Sequence, residues 1–222
     1  MSNIHSRIAV DSRWGTHQVI QESTMKPVTD TNRFILWVDA VGGYLVCLND
    51  VITLGQAIQG TSVDIPLVAD VSRKHATIRR INDQYILEPI SPVWIQGVEI
   101  TKATPLSHGD HIQLGSVQLL YSKPHPLSVT ARLDFTNRHG TNPRTDGILL
   151  MGDSLIVGNH QHDHVVYPYD DHQIVLYRCP EGLSCRSNQP LQIDEQEETN
   201  EGAIYLGSRI KSELISLGLE EL

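Results

Sequence analysis

The chain has 222 residues, 40% of them hydrophobic, which allows one large domain or two of about 100 residues and excludes a disordered or collagen-like chain. Its formal net charge is −9, from 17 Lys and Arg against 26 Asp and Glu. That balance argues against a general nucleic-acid binder, which needs Lys and Arg to neutralise phosphates, and against attachment to an anionic membrane surface.

Three cysteines are too few for a disulfide scaffold, and the odd number fits a reducing compartment, so a cytoplasmic protein is expected. Residues 1–32 are polar and lack the uninterrupted apolar run of a secretory signal; they read as a flexible leader. No apolar stretch approaches the roughly 18 residues of a membrane span.

From Phe34 the pattern changes. FILWVDAVGGYLVCL reads as two strands around a tight turn at Gly42-Gly43, and VITLG as a third strand ending at Gly55. HATIRR, QYILEPI, VWIQGVEI, HIQLG and VQLLY follow, short runs mostly bounded by Asn, Asp, Gly, Pro or Ser. Strands at this regular spacing predict an all-β sandwich. Two prolines, Pro124 and Pro126, then favour an extended connector, because each removes a ladder donor and biases its predecessor away from helix. The expected organisation is a first domain over 33–123 and a second over 127–222, giving two tandem sandwiches. In the second, SVTARLDF, GILLM, SLIVG, HVVYP, HQIVLYR, LSCRS and AIYLG read as strands, and the acidic run at 194–201 as a solvated loop.

The two halves look related. ITLGQ (52–56) matches LIVGN (155–159), HATIRR from His75 matches HQIVLYR from His172, and GDHIQLG (109–115) matches SELISLG (212–218), at offsets of 103, 97 and 103 read directly from the sequence. Three matches in the same order predict a duplicated fold, which makes SELISLG a strand rather than a helix.

Competing signals are weaker. His160, His162 and His164 alternate and on a strand would share one face as zinc ligands do, but they follow a strand end and read as an exposed polar loop. Neither a metal nor a cofactor is expected. Cys179 and Cys185 read as buried free thiols across a hairpin turn. Gly152-Asp153-Ser154 resembles an esterase start, but Ser154 precedes a strand, whereas a nucleophile of that kind needs a strand-to-helix turn.

Taken in order, ITLGQ, DIPLVADVSRKHATIRR, VWIQGVEI and LSHGDHIQLGSVQL resemble a forkhead-associated (FHA) domain of bacterial type, with a degenerate second FHA-like unit after it. The resemblance implies a non-catalytic sandwich whose loops at one end bind phosphothreonine peptides, within Ser/Thr-kinase signalling. The partner would be a protein or phosphoprotein, or the chain's own leader with Thr24, Thr29 and Thr31. A phosphothreonine carries roughly −1.5 to −2 charge and three acceptor oxygens, so the loop needs a cation, a hydroxyl and free amides. Ser72 and Arg73 would supply hydroxyl and guanidinium. The resemblance makes His75 and Gly55 a structural brace.

Two positions depart from the family pattern. Gln56 stands where the family has Arg, and Ser91, between Ile90 and Pro92, stands in the loop where it has Thr-Asn-Gly. Loss of one charge-assisted bond weakens binding roughly ten- to a hundredfold. In the second half the matching positions are Asn159, Tyr169 and Asp170-Asp171, and carboxylates repel phosphate. The alternative expectation is a structural or oligomeric FHA-like protein that binds its partner without phosphate.

Overall fold

The computed structural model describes residues 28, 31–60, 62–168 and 171–222. The first two strands among the described residues, β1 (Arg33–Val38) and β2 (Gly42–Cys47), form a hairpin that pairs Leu36 with Tyr44. Its turn lies at Asp39, Ala40 and Val41, not at Gly42-Gly43 as expected. Gly43 serves packing instead: a Cβ there would sit 2.5 Å from the Trp37 ring.

β3 (Val51–Gln56), β4 (Ile65–Leu67), β5 (Ala76–Ile81), β6 (Gln84–Pro89) and a short β9 (Thr104–Pro105) form a five-stranded sheet in the order β4-β3-β5-β6-β9. Between β6 and β9 lies the hairpin of β7 (Val93–Ile95) and β8 (Val98–Ile100). Its two turn residues, Gln96 and Gly97, both have positive φ, the twist that matches a two-residue hairpin. β10 (His111–Leu114) pairs β7 on one side and β11 (Val117–Ser122) on the other. Alternate residues of these strands (Ile52, Leu54, Ile78, Leu87, Leu119 and Tyr121) fill the core between the two layers.

The second half supplies β12 (Ala131–Phe135), β13 (Gly147–Leu150), β14 (Ser154–Gly158), β15 (Val165–Val166), β16 (Ile174–Cys179), β17 (Gly182–Ile193), β18 (Thr199–Ile204), β19 (Arg209–Lys211) and β20 (Ser216–Glu221). β14 pairs β15 in parallel and β16 antiparallel, as β3 pairs β4 and β5. Val157 faces Val165 and Ile174 where Leu54 faces Ile65 and Ala76. That register sets Gln173, not His172, opposite the position of His75. The third sequence match does not superpose on the strands: His111–Leu114 is a whole strand, whereas in SELISLG only the last three residues enter β20. The long β17 shifts register between Arg186 and Leu191, pairs β16 and β18 early and β19 late, and so carries the sheet around the second core.

Each half begins with a hairpin, and each hairpin docks on the last strand of the other half. β1 pairs β20, with Leu36 opposite Leu219. β12 pairs β11, with Leu133 opposite Tyr121. Phe34, Leu36 and Val38 therefore lie in a core with Leu155, Leu176 and Leu217, while Ala131, Leu133, Ile148 and Leu150 lie in the core of the first half. The two hairpins meet where β2 runs parallel to β13, Leu45 beside Ile148, closing one continuous 15-stranded sheet. The segment around Pro124 and Pro126 thus joins neighbouring strands of one sheet, and both cores draw residues from either side of it.

Two arginines hold the places where the chain crosses from hairpin to lobe. Arg80 Nη1 donates to Met151 O at 3.2 Å and its Nε to Asp50 at 3.0 Å. Arg178 donates from Nε to Gly152 O at 2.8 Å and from Nη2 to Met151 O at 2.9 Å and to Leu48 O. Burial, and then the nearby Arg80 charge, lowers the Arg178 pKa; the carbonyl acceptors satisfy its donors without neutralising it.

Candidate functional site

The expected site residues lie at the end of the first lobe where the β3–β4, β4–β5 and β6–β7 connections meet. Gly55 permits the close approach on which the arrangement depends. A Cβ there would lie 2.0 Å from Arg73 O and 2.7 Å from Arg73 C, so only glycine lets the 72–74 segment lie across β3. Backbone bonds pin that segment at both ends: Gln56 N donates to Ser72 O at 3.0 Å and His75 N to Leu54 O at 2.8 Å.

His75 is buried and ties two loops together. Its Nδ1 accepts the Ser72 N–H at 3.1 Å, so Nε2 carries the proton and donates to Pro92 O at 3.0 Å. Ile90 N and Ser91 N both donate to the His75 carbonyl, at 3.0 and 2.9 Å. The outcome is a rigid platform on which the Ser91 hydroxyl donates to Ser72 Oγ at 2.7 Å.

Arg73 and Lys74 are exposed, and no side-chain hydrogen bond or ion pair engages them among the described residues. Gln56 is half-buried, with Nε2 3.4 Å from Ala69 O, along the base of the loop. The structure thus joins Ser72, Ser91 and His75 by direct bonds, connects Gln56 through its backbone, and leaves Arg73 projecting. The β3–β4 connection is held from below by residues without a sequence signal: Arg33 Nη1 donates to Val63 O at 2.7 Å and to Asp64 O at 2.6 Å, and Asp64 accepts from Thr53 N at 2.7 Å.

The corresponding end of the second half has different chemistry. Over Gly158 lies the buried Asp163 carboxylate, 2.5 Å from where a Cβ would stand, accepting the His160 N–H at 3.0 Å. Asn159 Nδ2 donates to Asp171 at 3.2 Å. Tyr169 and Asp170 lie outside the described residues. His172 is buried between hydroxyls, Nε2 2.6 Å from Ser187 Oγ and Nδ1 3.0 Å from Ser212 Oγ.

The histidine run divides. His160 and His162 are exposed as expected, but His164 is wholly buried, Nδ1 accepting the Ile156 N–H at 3.0 Å beside the His125 ring. Burial first, and then His125, pushes the His164 pKa down to about 4. Among the described residues, no three His, Cys, Asp or Glu side chains are placed to hold a metal. Cys185 is buried as expected, with its pKa raised by burial to about 11, whereas Cys179 is half-exposed at the rim of its hairpin. Ser154 opens β14, and its carbonyl accepts from Thr130 Oγ1 at 2.5 Å. The acidic run is less solvated than expected at its start, where Asp194 accepts from Ser208 Oγ at 2.7 Å and Arg209 N at 2.8 Å.

Residues 52–115, from β3 to the turn after β10, match the FHA domain family. The first half of the chain carries an FHA domain. The match contains Gly55, Gln56, Ser72, Arg73, His75 and Ser91 and leaves out both exchanged hairpins. FHA domains are protein-interaction modules, commonly for phosphothreonine, and a protein partner follows for this one. No curated protein matches the chain. Among the described residues, no helix is long and apolar enough to cross a membrane.

Proposed function

We propose that the FHA end of this protein binds a phosphothreonine peptide weakly, as a non-catalytic cytoplasmic module in Ser/Thr-kinase signalling, and that the second half is a degenerate FHA-like repeat kept as its structural partner. The observation that carries the reading is the locked loop. Gly55 and His75 fix residues 72–75 so that the exposed Ser72, Arg73 and Lys74 share one held segment, the two cations without a side-chain partner among the described residues. Gln56 supplies hydrogen bonding without charge, and Pro92 supplies no amide, so affinity falls in the range of tens to hundreds of micromolar, about −5 to −7 kcal/mol. An exposed site resting on so few cations is readily screened by salt.

The chain's own leader is a candidate ligand through Thr24 or Thr29, both outside the described residues. Thr31 is poorly placed for that role, since its Oγ1 donates to Arg33 O at 2.8 Å. Phosphate-independent binding is the second reading, favoured by the hydrogen bond that Ser72 already accepts from Ser91 and by the uncharged Gln56.

Titration of phosphothreonine peptides and unphosphorylated controls separates the two. The expected result is phosphate-dependent binding that Arg73→Ala abolishes and Gln56→Arg strengthens about tenfold or more, the value of one charge-assisted bond. Absence of phosphate dependence even with Gln56→Arg would leave the second reading standing.

A further inference from the structure

The exchanged hairpin of the second half brings one more loop to the FHA end. Residues 136–146, between β12 and β13, run along β4, the edge strand of the five-stranded sheet. Thr141 bridges Leu67, Val68 N donates to Gly140 O at 2.9 Å, and Asn142 N donates to Pro66 O at 3.0 Å. From Val68 the chain enters the segment that carries Ser72 and Arg73. On its other side the loop reaches the β10–β11 turn, where Asn137 Nδ2 donates to Ser116 O at 2.7 Å. The neighbouring Gly115 lies so close to the same segment that a Cβ would stand 2.7 Å from Asp70 O. Residues 68–72 are therefore bordered by the second half's loop and by a turn bonded to it.

The loop is anchored internally. Thr141 Oγ1 donates to Pro143 O at 2.7 Å and accepts the Thr145 N–H at 3.1 Å, and Asp146 accepts the Gly43 N–H at 2.9 Å. What it presents outward is basic. Arg138 and Arg144 are exposed, and no ion pair or hydrogen bond engages either side chain among the described residues. Together the segments 68–74 and 136–146 contain Arg73, Lys74, Arg138 and Arg144 against Asp70 and Asp146, the latter committed to Gly43. On a chain of net charge −9 this is a local excess of positive charge beside the candidate loop.

We propose that Arg138 and Arg144, contributed by the second half, are specificity residues of the FHA site that select acidic side chains flanking the phosphorylated threonine. The inference rests on the phosphopeptide reading, and it gives the strand exchange a functional consequence: the binding end of one half is completed by the other. The two arginines lie outside both cores, so replacing them leaves the fold intact.

Four peptides test it against the full chain: a phosphothreonine peptide with Glu on both sides, the same peptide with neutral flanks, and the unphosphorylated form of each. The natural chain should bind the acidic phosphopeptide about five- to tenfold more tightly than the neutral one at low salt, the sum expected of two exposed ion pairs. Arg138→Gln combined with Arg144→Gln should erase that preference and leave binding of the neutral phosphopeptide unchanged. A preference that survives the double substitution overturns the inference and spares the phosphopeptide reading. Acid preference without phosphate dependence, lost in the double variant, supports the loop's role and overturns phosphate recognition. Failure of all four peptides to bind overturns both.

Discussion

Gly55 and Gly158 occupy corresponding places in two strand frames with the same pairing, yet what lies across them differs in sign and in kind. Across Gly55 runs the backbone of a basic loop; across Gly158 sits the buried carboxylate of Asp163. Strand pairing is maintained by alternating apolar side chains that fill a core, and it tolerates loop change. Phosphate recognition depends on a few loop residues and is lost with them. The two halves thus share a strand pairing, and among the described residues a basic segment lies over the glycine of the first half and a carboxylate over that of the second.

The sharpest way to break the comparison is to separate the halves. A fragment of residues 33–123 lacks Ala131, Leu133, Ile148 and Leu150 from its own core and exposes Phe34, Leu36 and Val38. Losing burial worth about 1.5–3 kcal/mol per large side chain removes an amount comparable to the stability of a whole domain. The fragment should show no cooperative unfolding in urea, and a two-state transition like that of the full chain would contradict the exchange.

A methyl group at each glycine gives a smaller and more selective effect. Gly55→Ala meets backbone that cannot turn aside and should cost about 3 kcal/mol, with loss of phosphopeptide binding. Gly158→Ala meets the end of a side chain and should cost about 1–2 kcal/mol, leaving binding intact. Urea denaturation and peptide titration on the same variants check both. Equal losses of binding would mean that the two ends act as one site.

The effect confined to acid pH concerns protons. With its folded pKa near 4 against about 6.5 unfolded, His164 is held neutral in the folded chain. The unfolded chain therefore binds the extra proton as pH falls from 6.5 to 4, and stability falls across that window and levels below it. The slope of stability against pH should be shallower in His164→Gln; an unchanged slope would mean the imidazole is not held neutral by the fold.

Much of this was legible beforehand. Short alternating runs located most strands, and the glycine, serine and histidine spacing located the loop that Gly55 and His75 hold. Strand partners were not legible, because alternation says which face is buried and not which strand lies alongside. The exchange did leave a trace: Leu45, Val46 and Cys47 in β2, and Ile148, Leu149 and Leu150 in β13, are apolar without alternation. Strands buried on both faces read that way, and here each faces both cores. Gly42-Gly43 misled because glycine serves close packing as well as turns. The arginines of the 136–146 loop carry no local signal, since their place beside residues 68–72 exists only once β12 pairs β11.

Anion recognition at the FHA end is proposed to draw on both halves. Backbone amide shifts, followed while a phosphothreonine peptide with acidic flanks is added to the full chain, test it most directly. The account predicts that residues 55–57, 72–75 and 91 move together with 138–144, while those around Asn159 and Asp171 stay still. Shifts gathered around Asn159 and Asp171, or none at 72–75 even in Gln56→Arg, would contradict it.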